Sequence, residues 1–377
     1  MALLFLRLGF TAFGGPAAHI AIMENEVVRR RRWVSSERFL DLLGASNLIP
    51  GPSSTELAIF LGYEQAGVAG LVLAGTCFIL PAAVMVALLA WAYVRFGSLP
   101  QVAGVLYGIK PVVIAVILQA LWRLGPKAIK RSIPLALLGV VACAAFALGV
   151  DAILVLVGGG IVWMFGRQLA GQANRAGAIA PPLLAATAAA PASAASISLL
   201  TLFLTFLKIG AVVFGSGYVL LAFLRADLVD RLHWLTEPQL LDAVAIGQVT
   251  PGPVFTTATF IGYLVGSRAG GGAAVWGAVL ATIGIFLPGF VLVALVRPLV
   301  ARVRRSAAAS AFLDGVNVAA LALMAVVTVQ LGRTALVDVP TILIALASAV
   351  ALIRFEVNTT WLVAGGALLG AAVRAIH

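Results

Sequence analysis

Two short stretches decide how this chain is read: Leu48-Ile49-Pro50-Gly51-Pro52 and, 201 residues later, Val249-Thr250-Pro251-Gly252-Pro253. Both lie inside apolar sequence. Proline has no backbone N–H and its ring clashes with the preceding turn, so two prolines around a glycine stop a helix. In a bilayer a stopped helix leaves N–H and C=O groups without partners. That is tolerated only where protein covers them or a wet cavity receives them. The same device in two matching places points to a binding site.

The surrounding composition supports the bilayer. Of 377 residues, 62% are hydrophobic and only 10% are charged, against about 25% charged in soluble domains. Apolar runs such as 68–93 and 103–122 are each long enough for a spanning helix, which needs about 20 residues. Short alternating strands of the outer-membrane barrel kind are absent from the sequence. The net charge of +11 falls in short loops, as topology signals do, and no nucleic-acid-binding motif accompanies it. Cys77 and Cys143 show no metal-ligand spacing. No metal and no cofactor is expected, and residues 1–10 do not read as a cleaved signal peptide.

Outward from the Pro-Gly-Pro stretches, the chain reads as a duplication. Phe5, Leu6 and Gly9 match Phe206, Leu207 and Gly210; Phe13-Gly14 matches Phe214-Gly215; Trp33 matches Trp234; Asp41 matches Asp242. All hold the same offset as the Pro-Gly-Pro pair. After small gaps, Gly62-Tyr63 matches Gly262-Tyr263 and Pro81 matches Pro288. The expected organisation is a first repeat over 1–169, an Ala/Gly/Pro-rich linker over 170–196 and a second repeat over 197–377. Loop cations change sides between the copies. The loop at 24–38 holds five Lys or Arg and 123–131 holds four, while their counterparts hold Arg225 with Arg231 and Arg333 alone. Opposite orientation accounts for this and needs an odd number of spans per half. The expected fold is an all-α polytopic membrane protein of two inverted-topology repeats. Each has about five spanning helices and a re-entrant hairpin broken at Pro-Gly-Pro, ten spans in all.

Candidate ligand groups gather at these breaks. Ser53 and Ser54 open the helix after Pro52, and Thr256 does so after Pro253. Free N–H groups and hydroxyls at a helix start suit an oxyanion, and equally suit plain capping. Gly14, Gly15, Gly215 and Ser216 form a second break, read either as close backbone approach or as tight helix packing. Arg7 and Lys208 are equivalent cations in apolar sequence, candidates for holding a dianion or for snorkelling. Lys110 is a third such cation. Asn47 and Gln248 precede the two breaks and could bond substrate or tie helices. Glu56 is the coupling candidate, with pairing to a cation such as Arg7 as the alternative. His19 has no counterpart, since Leu220 stands in its place, and reads as a packed histidine. The Arg29–Arg32 run reads as a topology signal, or as a funnel for anions. No nucleotide-binding loop and no hydrolytic constellation is present, so neither an ATP-driven pump nor an enzyme is expected.

Taken together, Phe13-Gly14-Gly15-Pro16-Ala17-Ala18-His19, the charged loop ending at Trp33, and Leu48-Ile49-Pro50-Gly51-Pro52 resemble the chromate ion transporter family. With Phe214-Gly215, Trp234 and Thr250-Pro251-Gly252-Pro253 in the second copy, the chain resembles the family's long, two-domain form. That resemblance implies export of chromate from the cytoplasm, driven by the proton-motive force, across the bacterial inner membrane. The implied partners are chromate or a similar oxyanion such as sulfate and the lipid bilayer, with no nucleic acid; the chain could pair as a homodimer. Family members often carry a small or amide residue where Glu56 stands.

Overall fold

The structure is a computed structural model that describes residues 1–12, 15–97, 99–173, 198–214, 217, 219–270, 272–296 and 306–376. The expected linker falls almost wholly outside them. The first half runs α1 (Ala2–Thr11), α2 (Gly15–Glu24) with a π-helical turn Asn25–Arg30, α3 (Ser36–Ser46), α4 (Ser53–Phe96), α5 (Pro100–Ile129), α6 (Ile133–Ala147) and α7 (Ala152–Ala173). The second runs α8 (Leu199–Val212), α9 (Leu220–Leu224) with a π-helical turn Arg225–Arg231, α10 (Glu237–Val249), a 3₁₀ turn Val254–Thr256, α11 (Thr257–Ser267), α12 (Ala273–Val296), α13 (Ala307–Ala335), α14 (Val339–Arg354) and α15 (Thr359–Ile376). No strand occurs among the described residues. This is an all-α membrane protein. Its large side chains sort accordingly: Phe5, Phe60, Phe206 and Phe260 are fully buried, while Leu88, Trp91, Trp122, Trp276, Leu343 and Trp361 stand exposed on the outside. An exterior this apolar is stable only against lipid.

The long helix α4 is two limbs. Ala66 (φ −151°, ψ 30°) and Gly67 (φ 58°, ψ −143°) leave the helical region, and the positive φ is one that glycine supplies. Gly62 packs directly against Gly70 and Ala74. In one straight helix, residues 62 and 74 would be about 18 Å apart; their contact shows that the limbs 53–65 and 68–96 lie side by side. The second half repeats this with α11 and α12, where Gly262 packs against Gly277 and Ala281. The missing Cβ atoms let the backbones approach this closely.

The chain also doubles back earlier. Arg7 on α1 lies 2.7 Å from Glu26, although a continuous helix would separate them by about 28 Å. Arg38, at the start of α3, reaches Glu64 at the end of the first α4 limb at 2.7 Å. Gln65 donates to the carbonyl of Trp33. Among the described residues five helices are long and apolar enough to cross: Ser53–Phe96, Gln101–Ile129, Ala152–Leu169, Ala273–Leu295 and Ala307–Ala335; five other apolar helices are shorter.

The two halves interlock through their last three helices. Gly108 of α5 lies against Gly366 and Gly370 of α15, and Gly315 of α13 lies against Gly159 of α7. These are equivalent contacts exchanged between halves. Helix α14 also runs along α5, with Tyr107 Oη donating to Asp338 (2.7 Å) and Gln119 donating to the Leu352 carbonyl (2.9 Å). Lys130, just past the end of α5, reaches Asp314 near the start of α13 at 2.6 Å. Ile114 and Leu118 of α5 line one groove with Thr328 and Gly332 of α13. The equivalent helices α5 and α13 are therefore antiparallel.

Candidate anion site at the paired helix breaks

The first α1–α2 break and the second Pro-Gly-Pro meet, and so do their equivalents. The Gly51 N–H donates to the Val213 carbonyl at 2.7 Å, and the Gly252 N–H donates to the Ala12 carbonyl at 3.1 Å. Ala12 and Val213 hold the same 201-residue offset as Gly51 and Gly252. Each break thus satisfies one orphaned group of its counterpart's neighbour. Both glycines have positive φ, 128° and 93°. A Cβ on Gly51 would collide with Oε1 of Glu56, and one on Gly252 would come within 2.7 Å of the Ala82 Cβ. Gly15 also sits at positive φ, 75°. Pro50, Pro52, Pro251 and Pro253 are buried around this contact.

The helix starts differ between halves. In the first, the amides of Thr55 and Glu56 bond back to the Pro52 carbonyl. Those of Ser53 and Ser54 find no backbone acceptor among the described residues. Thr55 Oγ1 and both carboxyl oxygens of Glu56 are buried with no hydrogen-bond partner. Glu56 is 1% exposed and is not paired with Arg7, the alternative considered from sequence. Its carboxyl fills the space under Gly51, with Gly289 of α12 leaving room beside it. In the second half, Thr256 Oγ1 and Thr257 Oγ1 bond back to the carbonyls of Pro253 and Val254, both at 2.8 Å. There the hydroxyls cap their own backbone. Gln248 Nε2 is buried and unpartnered. Gln248, Leu220 and Thr257 border a cavity of about 10 Å³, room for about one water. Asn47, its equivalent, is exposed at the end of α3. Gly14, Gly215 and Ser216 lie outside the described residues.

Arg7 and Lys208 occupy equivalent places, and each is held by a carboxylate 19 residues on. Arg7 shares Glu26 with Arg30 (2.7 Å) and Arg31 (3.4 Å). Lys208 shares Asp227 (2.5 Å) with Arg231 (3.0 Å). Both clusters keep an excess of positive charge. Burial pushes the Glu26 carboxyl up, but hydrogen bonds from Arg30, Arg7 and Arg31 outweigh it and hold the group at about 2. Lys110 lies 3.1 Å from Asp242 of the other half, which also accepts from Tyr93 Oη at 2.9 Å.

His19, read from the sequence as a packed histidine, is packed at the breaks. His19 is buried, with Nε2 2.9 Å from the Ala12 carbonyl and Nδ1 3.2 Å from Ser54 Oγ. The signal available was its place one turn after Pro16, inside the break motif. Its lack of a counterpart in the second copy argued the other way.

Comparison with known proteins identifies the family. A family model described as Chromate transporter matches residues 1–164 and again 200–371. The chain is 35% identical to the chromate transport protein of Cupriavidus metallidurans, over 98% of this chain and 92% of that one. It is 35% identical to a probable chromate transport protein of Synechococcus elongatus, over 91% and 86%. It is 33% identical to a chromate transport protein of Pseudomonas aeruginosa, over 90% and 82%. No solved structure matches the chain. Matched twice along its length and nearly end to end, the chain belongs to the chromate transporter family.

Proposed function

We propose that this protein is a secondary transporter that exports chromate across the bacterial inner membrane, coupled to the proton-motive force. The observation that carries the reading is the reciprocal exchange of Gly51 to Val213 and Gly252 to Ala12 at four helix breaks. A buried, unpartnered Glu56 lies beneath it. Broken helices at a pseudo-twofold are how transporter folds build ion sites. Residues 1–169 and 197–377 act as inverted repeats joined by 170–196, each with a re-entrant hairpin at Pro-Gly-Pro. The antiparallel run of the equivalent helices α5 and α13 supports inversion, because such an axis must lie in the membrane plane. The Arg38–Glu64 contact supports the hairpin.

The anion is held by backbone amides around Gly14, Gly15, Gly215 and the Pro-Gly-Pro turns, with hydroxyls of Ser53, Ser54 and Ser216, and of Thr256 once it leaves the Pro253 carbonyl. Asn47 and Gln248 flank it. The net-positive clusters at Arg7 and Lys208 draw the dianion in, and Glu56 carries the coupling proton. The cavity of about 10 Å³ beside Gln248 is far too small for an oxyanion, so the breaks part for loading and close again. Sulfate offers these groups the same tetrahedral dianion and is the competing substrate. The test is chromate flux in proteoliposomes with and without a pH gradient, with sulfate as competitor. Export-directed flux that follows the gradient supports the reading. Gradient-insensitive flux indicates a channel, and no flux under any gradient ends the transporter assignment.

A further inference from the structure

His19 sits where the two halves meet, and its hydrogen bonds fix its protonation pattern. A carbonyl can only accept, so the Ala12 oxygen 2.9 Å from Nε2 requires the proton to be on Nε2. In the neutral ring Nδ1 is then a bare acceptor, and the Ser54 hydroxyl 3.2 Å away must donate to it. The Ala12 carbonyl also receives the Gly252 N–H, which anchors the ring to the contact between the halves. Phe78 closes the opposite side edge-on, 5.5 Å between ring centres. The charged and titratable groups on the packed elements are few. On α1 it is Arg7, bound to Glu26 of the turn after α2; at the end of α2 it is Glu24, bound to Arg29. On the first limb of α4 they are Glu56, two residues beyond Ser54, buried and unpartnered, and at its far end Tyr63 and Glu64, the latter bound to Arg38. On the second limb they are the free thiol of Cys77 and, at its far end, Tyr93, bound to Asp242, and Arg95.

We propose that His19 and Ser54 form a proton-set switch that makes a donor available to the oxyanion. The inference rests on the breaks being the anion site. While His19 is neutral, the Ser54 O–H is engaged by Nδ1. When a proton from water adds to Nδ1, the new N–H donates to Ser54 Oγ and the hydroxyl hydrogen turns away. It then points to an anion oxygen at the first turn of α4, beside the amides of Ser53 and Ser54. The imidazolium adds positive charge at the same place. Deprotonation reverses both changes, so proton and anion favour each other's binding by the same factor. The switch exists in one half only: the equivalent positions in the other are Leu220 and Phe255.

The test is histidine-selective ¹⁵N NMR of the full-length protein in lipid nanodiscs, with binding of sulfate and chromate measured in parallel. Sulfate stays a dianion from pH 4.5 to 8 and is the pH-neutral probe. The chain holds three histidines, so His233→Gln and His377→Gln assign the His19 signals without touching the site. The expected result is a neutral His19 protonated on Nε2, with a titration midpoint raised by about one pH unit when the anion is bound. Affinity should be about tenfold tighter at the acid end, the scale of one charge-assisted hydrogen bond. His19→Leu should bind the anion with no such pH dependence; if that variant does not fold, the wild-type titration decides alone. A His19 midpoint unmoved by bound anion, or a neutral ring protonated on Nδ1, overturns the switch and leaves the anion site standing. A protein that binds neither anion at any pH overturns both.

Discussion

The Gly51 N–H and the Val213 carbonyl, 2.7 Å apart, join the Pro-Gly-Pro break of one half to the α8 break of the other. Gly252 and Ala12 make the return bond. A pair of long-range contacts related by one offset is what the proposed pseudo-twofold would produce. Parting the halves costs these two bonds, so the proposed alternating access would have to work against them or around them.

Sidedness tests the inversion. In a background with Cys77→Ala and Cys143→Ala, Arg30→Cys and Arg231→Cys occupy equivalent places in the two halves. An impermeant thiol reagent should label one from each face of the membrane. Labelling of both from the same face removes the inverted arrangement.

Glu56→Gln keeps the shape of a buried side chain whose oxygens have no partner. Removing an uncompensated buried acid should leave thermal stability unchanged or raise it by roughly 1 kcal/mol. Chromate flux of this variant should no longer respond to a pH gradient. A fully gradient-coupled Glu56→Gln transporter excludes Glu56 as the coupling group.

The Glu26 cluster predicts an acid limit to stability. Its folded-state value of about 2 lies below the ordinary 4.5, so the stabilisation is complete above about 4.5 and is lost as pH falls toward 2. Thermal unfolding of the purified protein should therefore weaken across that window. Glu26→Gln should be less stable at neutral pH and should flatten the dependence; an unchanged slope would show that Arg7, Arg30 and Arg31 contribute nothing through Glu26.

Much of this was legible beforehand because breaks and repeats are local or periodic. The Pro-Gly-Pro stops, the offset linking Arg7 to Lys208, and the all-α membrane class follow from residue types alone. What was missed depends on reversal of the chain. Glu26 and Asp227 lie 19 residues beyond their cations, a spacing with no meaning until α1 and α2 fold back on each other. The exchange of α14 and α15 onto α5 runs over Gly108, Gly366 and Gly370, and small residues of that kind occur on many membrane helices without naming a partner. His19 was set aside because the second copy lacks it, yet its hydrogen bonds to Ala12 and Ser54 are where the halves differ chemically.

The most direct measurement compares chromate flux in Gly51→Ala and Gly252→Ala with that in Gly67→Ala. All three glycines have positive φ, so each substitution carries backbone strain of order 1–3 kcal/mol. A Cβ on Gly67 meets nothing within 4 Å, which makes it a control for strain away from the breaks. The account predicts at least tenfold lower flux for Gly51→Ala and Gly252→Ala in folded protein, with Gly67→Ala close to wild type. Wild-type flux in both break variants would contradict it.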